Sequence, residues 1–188
     1  MAGPALKRIV PQKGKKLKID AGLRPTLAKV REAVFNILTG RIEGSVFIDL
    51  YAGTGAIGMD AMARGASAVY FVEADRKRAE RLRGLLSGCG CRPRAHIYDL
   101  KAEAFLKKAV REGIKADIIF LDPPYMSGEI ERLLPLLGEK EGILSANAVV
   151  LAEHSKRESP PEEAGVLKKK KSYKYGDTFL TLYEKKSG

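Results

Sequence analysis

Short apolar runs rich in β-branched residues recur from position 46 onward, separated by stretches whose apolar positions follow a helical period. The runs predict strands at Val46–Leu50, Ala68–Val72, Ala95–Tyr98, Asp117–Leu121, Ala148–Glu153, Gly165–Lys171 and Thr178–Glu184. Helices are expected near Gly55–Arg64, Arg76–Leu86, Lys101–Glu112 and Ile130–Leu137. Ahead of them, Leu27, Val30, Val34, Ile37 and Leu38 line one face of a further helix, with Gly40 just past its end. Thr26 reads as its N-cap, although Lys29 three residues on denies it a full capping box. Alternating strands and helices predict a doubly wound α/β fold: a mostly parallel seven-stranded sheet. The last two strands have only Tyr175-Gly176-Asp177 between them, a hairpin-like turn that makes one strand antiparallel.

The first twenty residues are different in kind. Lys7, Arg8, Lys13, Lys15, Lys16 and Lys18 face a single acid, Asp20, and Ile9-Val10 and Leu17/Ile19 flank a turn-rich stretch that suits a small hairpin. Residues 1–44 therefore read as a basic β-hairpin and helix extension packed on a domain spanning 45–188. At 188 residues the chain suits a single domain with a proper core. No apolar stretch approaches the ~20 residues of a membrane span, and the N-terminus lacks a secretory signal's apolar centre, so a cytoplasmic protein with no membrane partner is expected. A formal charge of +11 favours a polyanionic partner and by itself leaves RNA, DNA and anionic membrane open. Cys89 and Cys91, with His96 and His154, form no zinc pattern. Two reduced thiols and no metal are expected, and neither histidine is assigned a role.

Two stretches carry chemistry. Ile118-Ile119-Phe120-Leu121 runs into Asp122-Pro123-Pro124-Tyr125, a buried strand that stops at two residues unable to donate to a sheet ladder. An acid, free carbonyls and an aromatic ring thus gather at a strand's carboxyl end, where open α/β sheets bind ligands. The set suits a flat ring bearing an amine. The second stretch, Phe47–Gly58, is a strand, a glycine turn and a helix start in which Gly53, Gly55 and Gly58 satisfy a dinucleotide fingerprint. Twenty residues after Gly53, Glu73 closes the next strand, the place from which a carboxylate holds ribose hydroxyls. A pyrophosphate would be opposed by Asp49, whereas the ammonium and sulfonium of S-adenosylmethionine would be welcomed, directly or through water. The balance tips from NAD to S-adenosylmethionine.

Asp49, the Ala52–Gly55 turn, Glu73 and the Asp122–Tyr125 tetrad together resemble a Rossmann-like class I S-adenosylmethionine-dependent methyltransferase acting on an exocyclic amine. Leu23-Arg24-Pro25-Thr26, Val30–Leu38, Asp49–Gly58, Arg64-Gly65-Ala66 and Tyr175-Gly176-Asp177-Thr178 narrow the resemblance to the RsmD family, over essentially the whole chain. The resemblance implies methylation of a guanine N2 in bacterial 16S rRNA, within a small-subunit ribosomal particle, by a monomer. It implies a catalytic tetrad Asp122, Pro123, Pro124 and Tyr125 in which Asp122 and the Pro123 carbonyl accept the amine's N–H bonds and Tyr125 stacks on an extruded base. It places the cofactor against Asp49, Ala52, Gly53, Thr54, Gly55, Glu73, Ala74, Asp99, Ala102 and Asp122. Arg24, Lys29 and Arg31, with Lys15 and Lys16, are the candidate RNA contacts. Lys101 stands where the family has an acid or amide before Ala102, so either Asp99 reads the adenine or the backbone alone does. The hairpin Arg8–Gln12 is also poorer in glycine than the family's. Lys168–Lys171 reads as a charged strand edge and Arg64 as a helix cap. The main rival is an adenine-N6 methyltransferase with the same tetrad, opposed by the chain's small size and its N-terminal signature. A basic RNA-binding module without catalysis and an NAD oxidoreductase are the further readings.

Overall fold

A computed structural model describes residues 25–88, 93–139 and 142–186. In chain order the elements are α1 (Pro25–Ile37), β1 (Val46–Asp49), α2 (Ala56–Ala63), β2 (Ala68–Val72), α3 (Arg76–Ser87), β3 (Ala95–Tyr98) and α4 (Ala102–Arg111). There follow β4 (Ala116–Leu121), α5 (Glu129–Leu137), β5 (Leu144–Ser155), β6 (Glu163–Ala164), β7 (Leu167–Tyr175) and β8 (Thr178–Lys185). One sheet holds the strands in the order β3-β2-β1-β4-β5-β8-β7-β6. The first five run parallel, β8 is antiparallel to β5, and β7 and β6 continue antiparallel pairing to the edge.

The expected seven strands are present, with an eighth that periodicity does not announce. Strand β6 is two residues long and pairs Glu163 and Ala164 with Lys168 and Leu167. It is too short to show an alternation, and Gly138 and Val166 fix it through a backbone hydrogen bond of 2.8 Å. Strand β5 also starts earlier than expected: Leu144 pairs with Ala116, but the register then shifts so that Ile118 faces Val149. That irregularity takes up the polar Ser145–Asn147 segment. Helix α1 already includes Pro25, so Thr26 lies inside the first turn and does not cap it. Proline suits that position because its missing N–H would have no helical partner there. The expected hairpin, Lys15, Lys16, Arg24, Cys89 and Cys91 lie outside the described residues.

Alternation along the strands sends side chains to two cores. Ile48, Ile119, Leu121, Val150 and Ala152 face one side, covered by Phe105, Leu106 and Ala109 of α4 and by Ile130, Leu133, Leu134 and Leu137 of α5. Phe47, Phe71, Ile118, Phe120, Val149 and Leu151 face the other, covered by α2, α3 and α1. Val30, Ala33, Val34, Phe35 and Leu38 bring α1 into that second core. Arg31 reinforces the seat of α1 through a bidentate pair with Asp60 of α2, at 2.8 and 2.6 Å. Arg64, the C-cap of α2, lays its guanidinium 4.5 Å from the Phe35 ring centre, so both of its roles are structural.

Gly58 shows how tightly α2 meets the sheet. A Cβ there would lie 2.2 Å from Cε1 of Phe71, a ring with no solvent exposure. Gly58→Ala is therefore expected to destabilise the fold by about 1–3 kcal/mol, the usual cost of overpacking a closed core. Thermal denaturation of the purified variant checks this; an unchanged melting temperature would show that Phe71 can yield.

Candidate active site

The sheet order places β1 and β4 side by side, with β2 and β3 on one flank and β5 on the other. This is the topological switch point, where connections leave in opposite directions and a crevice opens beyond the strand ends. Four acids stand at these ends: Asp49 closes β1, Glu73 follows β2, Asp122 follows β4, and Glu153 lies near the end of β5. The register carries Asp49 opposite Phe120 and Leu121 opposite Ala152, so Asp122 and Glu153 are the next residues along neighbouring strands.

The glycine turn after β1 is built by its own backbone. Gly55 N–H donates to the Ala52 carbonyl at 2.6 Å, and Gly53 and Gly55 adopt φ of 53° and 78°. A Cβ on Gly55 would also meet Leu82 at 2.4 Å, whereas one on Gly53 would meet only the Tyr51 carbonyl, at 3.8 Å. Space beside Gly53 is thus left for a ligand to approach the main chain. Glu73 braces the turn: its carboxylate accepts Gly53 N–H at 2.9 Å and Asp75 N–H at 2.8 Å. One bond per oxygen leaves further lone pairs for hydroxyl donors. Asp49 is buried and accepts Gly58 N–H at 3.3 Å. Thr54 and Ala74 are exposed beside these groups, and Ala102 is buried at the start of α4. Lys101 caps α4 without a side-chain hydrogen bond, while Asp99 pairs with Arg83 at 3.2 Å.

The tetrad side is anchored from three distant segments. Pro123 is buried, and Pro124 and Tyr125 are exposed. The Tyr125 hydroxyl donates to Glu153 Oε1 at 3.1 Å and lies 2.9 Å from Thr178 Oγ1. Thr178 is held there by the hairpin, where Tyr175 pairs with Thr178 across Gly176 at φ 65°. Farther along, Tyr51 donates to Glu129 at 2.6 Å, tying the end of β1 to the first residue of α5. Glu153 and Thr178 border the candidate site by holding Tyr125, and neither carried an assignment from sequence. Glu153 had a signal, an acid at the end of an apolar run like Asp122, and Thr178 lay within the Tyr175–Thr178 stretch.

Burial and like charge shift these acids together. Burial pushes the Asp122 carboxyl up to about 8, with Glu153 and then Asp49 adding to the rise. Burial likewise raises Asp49 to about 7, against the opposing pull of the Gly58 and Tyr51 amides, and raises Glu153. Such a crevice favours a cation, whose charge would restore the ionised forms. Among the described residues no group of His, Cys, Asp and Glu is arranged to hold a metal ion.

The basic candidates divide. Lys29 is exposed on α1, whereas the Arg31 guanidinium is engaged by Asp60. In the lysine run, Lys169 pairs with Glu162 at 2.5 Å, Lys170 with Glu184 at 3.2 Å, and Lys171 sits over Tyr173. That strand is a charged, locally neutralised edge.

The family described as Conserved hypothetical protein 95 matches residues 8–184. The chain belongs to this family, the RsmD-type methyltransferases. A Haemophilus influenzae relative named Ribosomal RNA small subunit methyltransferase D is 34% identical over 164 residues, covering 84% of this chain and 83% of the relative. An Escherichia coli relative of the same name is 34% identical over 143 residues, covering 75% and 70%. Among solved structures, a conserved hypothetical protein from Streptococcus pyogenes superposes with a TM-score of 0.72 at 29% identity, over 83% of this chain and 95% of that one. An RNA methyltransferase from Salinibacter ruber, in complex with S-adenosyl-L-homocysteine, shares the fold with a TM-score of 0.64 at 14% identity, over 85% and 92%. The fold is that of S-adenosylmethionine-dependent methyltransferases.

The raised acid gives a stability prediction. With its pKa moved from 3.8 to about 8, Asp122 holds its proton in the folded chain across a window where the unfolded chain has lost it. Folding stability therefore falls as pH rises through that window. Asp122→Asn is expected to raise the melting temperature of the cofactor-free protein by several degrees at pH 8, a gain that disappears near pH 4. Melting curves at both pH values check the sign.

Proposed function

We propose that this chain transfers a methyl group from S-adenosylmethionine to the N2 amine of a guanine in 16S rRNA, within a small ribosomal subunit particle. The observation that carries the reading is the acid group Asp49–Asp122–Glu153 beside the open Gly53 turn, a site shaped for a cationic nucleoside next to an amine-gripping tetrad. The names of the Haemophilus and Escherichia relatives support rRNA of the small subunit as substrate.

The residues present fit the donor. Asp49 offers a carboxylate for its ammonium, Glu73 keeps free lone pairs for ribose hydroxyls, and Gly53 leaves room for close approach. The segment from Ala52 to Gly55 would cradle the methionine part, and Ala74 with Asp99 and Ala102 would border the adenine. When bound, the sulfonium supplies an already activated methyl group, so the protein needs only to position the acceptor.

Positioning falls to the tetrad. The guanine amine is a poor nucleophile because its lone pair is delocalised into the ring. Ionised Asp122 and the Pro123 carbonyl accept its two N–H bonds and turn the lone pair towards the methyl group. Tyr125, held by Glu153 and Thr178, presents its ring to stack on the base and exclude water. Extruding the base costs a few kcal/mol, which stacking and these hydrogen bonds recover. Orientation of this kind lowers barriers by up to ~7–11 kcal/mol. The proton leaves the methylated ammonium, which is acidic enough to release it to water. Lys29, with Arg24, Lys15 and Lys16 from the basic N-terminal sequence, would supply phosphate contacts; Arg31 contributes by holding α1 in place.

Nucleoside analysis of 16S rRNA from cells with and without the gene should show N2-methylguanosine lost in its absence. Loss of N6-methyladenosine instead would overturn the choice of base. With purified enzyme, kcat/KM for S-adenosylmethionine, which reports the free enzyme, should fall on the acid side of about 8, because protonated Asp122 donates where it must accept; kcat, with the donor bound, should fall only at lower pH. Asp122→Asn should lower turnover by about a hundredfold or more while leaving cofactor affinity within a few-fold. Glu73→Ala should instead weaken S-adenosylmethionine binding in calorimetry; unchanged affinity would remove Glu73 from the ribose role.

A further inference from the structure

Met126 carries a side chain where the backbone favours none. Ser127 N–H donates to the Pro124 carbonyl at 3.3 Å, closing a four-residue turn whose central pair is Tyr125 and Met126. Met126 adopts φ of 58°, alone among the described non-glycine residues. The second central position of a turn with this pattern ordinarily belongs to glycine, because a Cβ there crowds the neighbouring carbonyl. Two residues on, where the same backbone region is needed, the chain does use glycine: Gly128, φ 71°.

Strain of this kind persists only where the surroundings impose it. Here Glu158 imposes it, accepting Met126 N–H on Oε1 at 3.0 Å and Ser155 N–H on Oε2 at 2.9 Å. One carboxylate thus fastens the turn to the end of β5. The Met126 sulfur rests 3.8 Å from Ser155 Oγ, yet the residue is 63% exposed, more than any other exposed large hydrophobic described. A rigid turn therefore holds an apolar side chain out in solvent, one residue beyond the ring assigned to stack on the base.

We propose that Met126 is a wedge that enters the RNA stack when the target guanine is extruded onto Tyr125. The proposal rests on the reading of this site as a base methyltransferase. Consecutive Cα atoms lie about 3.8 Å apart, so the residue after Tyr125 meets the strand that the base has just left. Extrusion opens a gap there, and proteins that unstack base steps fill such gaps with Phe, Leu, Ile, Met or Pro. An unbranched thioether adapts to an irregular gap and makes favourable contacts with aromatic faces. In a chain of net charge +11, an uncharged tip at this place addresses bases and leaves phosphates to the lysines.

The test uses full-length enzyme and small-subunit particles from cells lacking the gene, with labelled S-adenosylmethionine. Met126→Gly relieves the backbone strain while deleting the wedge. It should keep the wild-type melting temperature or exceed it, and keep cofactor affinity, yet lose about tenfold or more in kcat/KM for the particles. Met126→Leu should stay within about threefold of wild type, since leucine also serves as a wedge. RNA carrying 2-aminopurine at the mapped guanine retains the N2 amine and brightens on unstacking; Met126→Gly should brighten it less than wild type. Wild-type turnover by Met126→Gly, or a leucine variant as impaired as the glycine one, overturns the wedge and leaves the proposed reaction standing. If wild-type enzyme transfers no methyl group to the particles, the reaction and the wedge fall together.

Discussion

Carboxylates forced together at the ends of β1, β4 and β5 are the constraint on which the site depends. The sheet order makes Asp49, Asp122 and Glu153 neighbours, and with Asp49 and Glu153 buried and Asp122 half-buried water screens them poorly. Each arrangement around them reduces the penalty by a different route. Backbone amides of α2 and its turn serve Asp49, and the Tyr125 hydroxyl serves Glu153. Asp122 is raised further than Asp49 and no hydrogen bond offsets its rise, which suits a group completed by a ligand. The chain as a whole is strongly basic. A crevice lined by acids within a basic protein suits two ligands of opposite charge, a cationic nucleoside and a polyanion.

Rigidity at the mouth comes from contacts distant in sequence. The turn after β4 is fastened by Glu153 and Glu158 from the β5 end and by Thr178 from the start of β8. The start of α5 is fastened by Tyr51 from the end of β1. The antiparallel β8 matters here because it returns to β5 in register, Ser155 facing Thr178, and so delivers a hydroxyl to a ring more than fifty residues upstream. Glu153 and Thr178 lie on β5 and β8, so the sheet itself sets the place of the Tyr125 hydroxyl.

Strands with clear alternation or continuous apolar runs were legible, and so were the acids and glycines at their ends, because burial pattern and turn chemistry are local. What escaped was non-local or too short. Strand β6 has two residues and no period. Glu153 was placed correctly on a strand, but its role depends on a tyrosine 28 positions away. Arg31 carried the right charge for phosphate, yet Asp60, 29 positions on, engages it, and no spacing rule brings those two helices together. The left-handed backbone at Met126 could not be read either, since nothing in Tyr-Met-Ser distinguishes a strained turn from an ordinary one.

In the proposed reaction, the coupling of the acids also links the two ligands. Asp49 is one of the charges that raise Asp122. A cation held against Asp49 offsets that charge, so Asp122 ionises more readily once the donor is in place. Only the ionised form accepts an N–H bond on either oxygen, and the grip on the acceptor amine therefore strengthens after the donor binds. Linkage is reciprocal: an amine held by ionised Asp122 strengthens retention of the donor by the same factor.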